Sequence, residues 1–326
     1  MNSYSQNKLP LPPKRILITG ATGFIGSHLA RRLVASQHRV TALIRPSSNL
    51  WRIKDIAPDI KIIPADLNHL DTRSFKKQLG PIDIVYHLAA YGISQKENDF
   101  DLLMQTNLFA TQKILDLCNN LKIKKVILCG SCFEYSGGKK IKESTLPDPV
   151  SEYGFSKFSA SILANSFFLR EKLPIVNLRL FTPFGPFEDA ERLIPSTILR
   201  ALNNQPILLT TGHQTRDFIF IDDVVNAFLL AAQSSQAIGE TCHIASANAT
   251  SIRDIVKMIL RLAQSRSQAQ FGKLPLRPQE IKTLSGDFSK AKRLLKWQPH
   301  VSLEDGLRKT IDWFRMNKHL YSHASR

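Results

Sequence analysis

A chain of 326 residues, 43% hydrophobic and 22% charged, is long and apolar enough to bury a substantial core, which excludes a wholly disordered polymer. Four cysteines exclude a disulfide-stapled scaffold, and no apolar run reaches the roughly 18 residues of a membrane span. The formal net charge of +17 raises a nucleic-acid or membrane-surface partner, but the sixteen Lys/Arg and six Asp/Glu of residues 251–326 form no long basic run and no aromatic–basic motif, so they read as solvated helix faces.

Residues 1–13 are polar and Pro-rich and show no secretory signal, so a reducing, cytoplasmic setting is expected. Residues 15–19 form a short β run. Residues 26–35 read as a helix, with Ile25, Leu29 and Leu33 on one stripe. Further strands are expected at 40–44, 61–64, 82–88 and 125–129, with a helix over 102–121 between the last two. Strands at these intervals, joined by helix-length crossovers, predict a parallel sheet with helices on both faces. The 82–88 run is apolar on both parities, as such a sheet requires. A helix is expected over 153–171, ended by Pro174, and a strand over 175–180. From Phe181 the texture changes, and Pro183, Pro186, Pro195 and Pro206 punctuate short elements. A strand and helix over 217–232 look like a return to the first pattern. Residues 264–279 are a polar connection, and 303–316 a final helix. There is no internal repeat.

Thr19-Gly20-x-x-Gly23-x-x-Gly26 follows the first strand and opens the first helix. The glycines allow a tight turn and close approach of the backbone to a pyrophosphate, which then meets the free N–H groups of the helix N-terminus. This marks a dinucleotide site. NAD sites usually carry a carboxylate about 20 residues on, for the ribose hydroxyls. Here the second strand ends Ile44-Arg45-Pro46-Ser47-Ser48. A 2′-phosphate would meet the Arg45 cation and the hydroxyls of Ser47 and Ser48, so NADP (NADPH) is preferred and NAD is the alternative. Asp66, after the third strand, is placed either to contact the adenine amine or to cap a helix.

Tyr153 and Lys157 stand four apart and share a helix face. A nearby ammonium lowers a phenol's pKa, which suits Tyr153 to proton transfer at an alcohol or ketone. Ser131, just past the fifth strand, lies where ligands sit in parallel sheets and can hydrogen-bond the same oxygen.

The chain resembles the extended short-chain dehydrogenase/reductase superfamily, in its nucleotide-sugar epimerase/dehydratase/4-ketoreductase group. Besides the glycine loop, the matching pieces are Asp66-Leu67, His87-Leu-Ala-Ala90, Asn107, Gly130-Ser131-Cys-Phe-Glu-Tyr135, Tyr153-x-x-x-Lys157, Arg179 to Pro186, Arg216-Asp217-Phe218, Arg277-Pro278 and Asp287-Phe-Ser289. They run in family order over residues 14–316. The resemblance implies an α/β fold: a Rossmann doubly wound parallel sheet with a smaller C-terminal substrate-binding α/β lid. Residues 14–180, with a return segment at 217–245, would bind the dinucleotide. Residues 181–216 and 246–326 would bind the substrate. It implies catalytic roles for Ser131, Tyr153, Lys157 and Asn107, the last supporting the lysine through water. It implies cofactor contacts from Gly20, Thr22, Gly23, Phe24, Ile25, Gly26, Arg45, Ser47, Asp66, Leu67, Leu88, Ala89, Ala90, Tyr153, Lys157 and Pro183. Ser131, Cys132, Thr182, Arg192, Arg216 and Arg277 would face a nucleotide-diphosphate sugar, the last two gripping its diphosphate as arginine's planar fork allows. It also implies a homodimer through a four-helix bundle formed by 102–121 and 153–171, with Phe155, Phe158, Ile162 and Phe167 as candidate contacts.

Dehydratases of this group carry an Asp-Glu pair directly after the hydroxyl residue. Here those places read Cys132-Phe133, and Glu134 comes one residue late, which on extended backbone turns it away. That leaves an epimerase, which keeps NAD bound, and a 4-ketoreductase, which consumes NADPH. The missing carboxylate and Arg45 favour reduction of an NDP-4-keto-6-deoxyhexose. Cys129-x-x-Cys132 raises a thiol redox site, but no helix N-terminus activates it. His87 and His213 have no ligand partners at zinc spacing, so no metal is expected. A non-catalytic dinucleotide-binding protein would be expected to lack part of the Ser131, Tyr153, Lys157 set.

Overall fold

In the computed structural model, which describes residues 13–70, 75, 78–92, 97–276 and 279–321, the first half of the chain lays one strand after another on a common sheet. Strands β1 (Arg15–Thr19), β2 (Arg39–Ile44), β3 (Ile60–Pro64), β4 (Ile84–His87) and β5 (Lys125–Ser131) belong to it. β6 (Gly138–Ile141) leaves it and β7 (Ile175–Leu180) returns. The interspersed helices are α1 (Phe24–Ala35), α2 (Phe100–Met104), α3 (Ala110–Asn120) and α4 (Glu152–Glu171).

Strand β1 shows why the sheet is covered on both sides. Ile16 and Ile18 enter one core with Leu29 and Leu33 of α1, while Leu17 enters a second core with Ile114 of α3 and Ala164 of α4. Successive side chains point to opposite faces, so an apolar run with both parities buried needs helices above and below.

The second half begins with β8 (Thr182–Phe184), α5 (Leu193–Leu202), β9 (Ile207–Leu208), β10 (Thr215–Phe220) and α6 (Ile221–Gln233). It continues with β11 (Thr241–Ile244), β12 (Ala249–Ser251), α7 (Ile252–Ala263), β13 (Ala269–Gln270), β14 (Thr283–Gly286), α8 (Ser289–Leu295) and α9 (Leu303–Asn317). β11 completes a seven-stranded parallel sheet in the order β11-β7-β5-β4-β1-β2-β3. The fold is the Rossmann-like α/β architecture that the strand spacing implies. Its strand order reverses between β1 and β4, and ligands bind at the carboxyl ends beside such a switch point.

Two expectations about elements need correction. The strand over 217–220 does not rejoin the large sheet. β10 lies in a smaller sheet, between β12 and β14, and also pairs with β8; β6 from the first half closes its far edge. Only α6, packed on α1, β5 and β7, and then β11 return to the large sheet. The helix expected over 102–121 is also not continuous. A π-helical turn, Gln105–Phe109, separates α2 from α3 and centres on buried Asn107. Among the described residues no helix is long and apolar enough to cross a membrane.

Candidate active site

The glycine loop sits at the switch point and is held from both sides. Gly20 takes the left-handed conformation (φ +74°), and a Cβ there would lie 2.7 Å from the Ala89 nitrogen and the Leu88 carbonyl carbon. Thus Gly20, Leu88 and Ala89 lie against one another, with Ala90 next in the chain. Gly23 is the exposed N-cap of α1, no side chain caps it, and the first turn holds no acid. The first N–H groups of a helix have no intrahelical partner. Uncapped and free of carboxylates, this end fits a dinucleotide pyrophosphate. Phe24 and Ile25 turn inward against the main core, and the Thr22 carbonyl receives Arg52 at 3.5 Å.

Arg45 and Ser47 are exposed in the turn after β2, closed by Ser48 N–H donating to Arg45 O at 2.9 Å. Asp66 caps a 3-10 turn, accepting from the Asn68 N–H at 2.9 Å, and Leu67 is buried in the second core. Of the two sequence readings of Asp66, the structure displays the cap.

A chain of hydrogen bonds ties the loop to the helix that carries Tyr153. Burial pushes His87 down to about 3, so its ring is neutral, with one donor and one acceptor nitrogen. The Ala89 N–H donates to the Thr19 hydroxyl, which donates to His87 Nδ1 at 2.7 Å; His87 Nε2–H donates to Thr111 at 2.9 Å. Thr111 donates to Asn107 O at 2.7 Å, and Asn107 Nδ2 donates to Tyr91 O and to Ser156 Oγ at 2.9 Å. Asn107 therefore reaches Ser156, the neighbour of Lys157, directly.

Ser131 ends β5, and Tyr153 and Lys157 lie in the first two turns of α4, capped by Ser151. Gly154 sets their approach: a Cβ there would lie 2.1 Å from Phe133 O, so only glycine lets α4 dock on the turn after Ser131. The Ser131 hydroxyl is close enough to the Tyr153 phenol to draw its pKa down. The expected lowering of Tyr153 by Lys157 is not what the environment gives. Burial dominates and pushes the phenol above its ordinary range, against the pull of Ser131 and of Arg192. Four-residue spacing aligns two groups on a helix but says nothing about how dry their surroundings are.

Glu134 was expected to point away because of extended backbone. It does so for another reason. Residues Cys132–Glu134 form a 3-10 turn, and the Glu134 carboxylate folds back to accept the Ser131 N–H at 2.9 Å while pairing with Arg179 at 2.5 Å. Both residues are buried. The pairing of Arg179 with Glu134 was missed in the sequence; a charged residue inside the largely apolar β7 run, Ile-Val-Asn-Leu-Arg-Leu, was the available signal. The four cysteines are free, and burial pushes Cys129 up and Cys132 up to about 12, so neither is an activated thiol. Among the described residues no His/Cys/Asp/Glu group could hold a metal.

The substrate candidates form a second cluster. Thr182 and Pro183 lie in β8 beside Phe218 and Ile219 of β10. Arg192 is the N-cap of α5 and lies 3.7 Å from buried Glu188. Arg216 pairs with Glu280 at 2.6 Å and donates to Ile281 O. A cleft of about 440 Å³, lined by Gly137, Gly138, Val150, Glu280 and Lys282, opens beside that pair rather than at Tyr153. Arg277 lies outside the described residues.

Residues 16–245 match the model of the NAD dependent epimerase/dehydratase family. A UDP-N-acetyl-alpha-D-glucosaminuronate decarboxylase of Bacillus cytotoxicus is 33% identical, over 93% of this chain and 98% of its own length. A Bacillus subtilis protein described as an uncharacterized UDP-glucose epimerase, YtcB, is 31% identical over 91% and 96%. The crystal structure of the UDP-glucuronic acid 4-epimerase of Bacillus cereus, in complex with UDP-glucuronic acid and NAD, is 32% identical with a TM-score of 0.84, covering 94% of this chain and all of that one.

Proposed function

The chain belongs to the NAD-dependent epimerase/dehydratase family, and from that premise we propose that it is a nucleotide-sugar 4-epimerase that keeps NAD bound through turnover. One observation carries the reading. Ser131 and Tyr153 meet at the carboxyl end of β5, while Cys132 and Phe133 stand where a dehydratase would need its carboxylates. The relative described as an uncharacterized UDP-glucose epimerase, and the UDP-glucuronic acid 4-epimerase in complex with NAD, support it over the 4-ketoreductase expected above.

In this reading the α1 N-terminus and glycine loop hold the pyrophosphate. Residues 14–180, with the return of α6 and β11, serve the dinucleotide; 181–220 and 246–326 serve the sugar nucleotide. The dinucleotide, when bound, supplies the acceptor and donor of hydride for sugar C4. Tyr153 takes the proton from the C4 hydroxyl and returns it to the C4 oxygen after the 4-keto sugar has turned its opposite face to the hydride donor. Ser131 holds the C4 oxygen. Lys157 orients the nicotinamide ribose, and Asn107 anchors α4 beneath it. Arg192 and Arg216 face the diphosphate, and the family resemblance assigns Arg277 the same role.

A 4-ketoreductase using NADPH is the second reading, favoured by Arg45 and the missing carboxylate after β2. Product analysis with nicotinamide absorbance separates the two. UDP-glucose or UDP-glucuronic acid converted with no net change in absorbance supports the epimerase. NADPH consumed with NDP-4-keto-6-deoxy sugars, and no epimer formed, replaces it with the reductase. Arg45→Ala should weaken NADP binding about tenfold and leave NAD within about threefold. Equal losses in titration would remove Arg45 from the ribose site.

We also propose a homodimer through the outer faces of α2 to α4. Phe109, Phe155 and Ile162 are 52%, 46% and 54% exposed, an apolar set that water covers poorly. Phe167, by contrast, packs on the second core. Ile162→Glu should shift sedimentation from dimer to monomer; an unchanged dimer would place the interface elsewhere.

A further inference from the structure

We propose that Glu134 and Arg179 are positioning residues for the reaction: they tether the Ser131 backbone so that its hydroxyl is presented to the sugar oxygen as a hydrogen-bond donor. This rests on Ser131 holding the C4 oxygen.

The geometry begins with a reciprocal cap. Ser131 Oγ accepts the Phe133 N–H at 3.2 Å, and Glu134 Oε1 accepts the Ser131 N–H at 2.9 Å. The first bond occupies a lone pair of Oγ, which leaves its proton to be donated elsewhere. The second bond fixes the backbone from which that hydroxyl projects.

The carboxylate is itself held by a directed chain. Arg179 Nη2 donates to Glu134 Oε2 at 2.5 Å, and Arg179 Nη1 donates to the Tyr135 hydroxyl. Tyr135 donates to His243 Nε2 at 2.9 Å, and His243 Nδ1 donates to Ile141 O at 3.0 Å. Burial keeps His243 neutral, pushing it down to about 3, which matches one donor and one acceptor nitrogen. Space for the carboxylate comes from Gly130. A Cβ there would lie 3.1 Å from Glu134 Oε1 and 3.3 Å from the Arg179 Cα.

Stability alone does not call for this arrangement. Well-packed apolar side chains of similar volume often replace a buried ion pair without loss of stability. What apolar side chains cannot supply is an acceptor for the Ser131 N–H. That difference makes the role testable with two double variants of nearly equal shape. Glu134→Met with Arg179→Met removes both charges and the acceptor. Glu134→Gln with Arg179→Met removes both charges and keeps an amide oxygen for Ser131.

Turnover is read on whichever nucleotide sugar the wild type converts, by epimerisation or by NADPH consumption. Both routes pass through Ser131, so failure of the epimerase reading does not decide this one. The Met/Met variant should lose about 100-fold in kcat, as displaced catalytic groups do, with KM and Tm near wild type. The Gln/Met variant should recover kcat to within about threefold of wild type, even where its Tm is the lower of the two. Equal kcat in the two variants, at the wild-type level or at zero, overturns the proposal, as does activity that follows Tm across the pair.

Discussion

Replacing Tyr153 by Phe is expected to lower kcat about 10³-fold while nucleotide-sugar and NAD binding stay within about threefold. The substitution keeps the ring, which packs edge-on against Phe133 at 6.2 Å, and removes only the hydroxyl that meets Ser131. The loss should be large because no neighbouring group can take over the proton. Cys129 and Cys132 are held as thiols by burial, and Glu134 is committed to Ser131 and Arg179. His87 is neutral and both its ring nitrogens are used by Thr19 and Thr111. Burial keeps the Tyr153 phenol protonated in the free protein, and Ser131 pulls the other way. Ser131→Ala should therefore push the phenol further up and lower turnover in the same direction as Tyr153→Phe. Steady-state kinetics with calorimetric binding measures the split. Near-wild-type kcat in Tyr153→Phe would move the proton to another group, with Lys157 the next to test.

The parts of this arrangement that could be read in the sequence share a physical feature: they sit at the ends of long, regular elements. β1, β2, β4 and β5 carry apolar residues on both parities because helices cover both faces, and that pattern needs no knowledge of partners. The glycine loop, Ser131 and the Tyr153–Lys157 spacing follow at fixed places on those elements. The smaller sheet was opaque because β8, β12 and β14 span only three or four residues each, too few for a period to show. β10 has the texture of a return strand, yet its neighbours come from residues 182–184, 249–251 and 283–286. Local pattern does not encode which edge it joins. The electrostatics failed for a related reason. Tyr153 lies four residues from Lys157, but its environment is set by β5, the 3-10 turn and Arg192, which converge only in the fold. Glu134 illustrates the same point, since a single turn of 3-10 helix redirected a side chain whose destination had been argued from extended backbone.

Gly26→Ala is expected to abolish measurable NAD binding, a loss of at least about 100-fold, and to destabilise the fold by about 1–3 kcal/mol. A Cβ at Gly26 would lie 2.1 Å from Gly20 O, 2.8 Å from Gly20 C and 3.1 Å from Ala21 Cα. All three are backbone atoms, so no rotamer change relieves the contact. Nor can the loop retreat, because Gly20 is already pressed against the end of β4, with Ala89 N and Leu88 C 2.7 Å from where its own Cβ would be. The remaining response is to move α1 away from the loop. That movement spoils the anion site directly, since Gly20 O also accepts the Gly23 N–H at 3.0 Å and so sets where α1 begins. Gly23→Ala supplies the comparison. Its Cβ would meet only Gly20 O, at 3.3 Å, and its φ of −79° suits any residue. It should cost about tenfold or less in affinity, because the helix need yield by only a few tenths of an ångström. Titration of NAD by protein fluorescence, with thermal melts of the same samples, gives the order. Wild-type affinity in Gly26→Ala would show that α1 shifts without disturbing its first turn, and the pyrophosphate would then have to be held by something other than that turn.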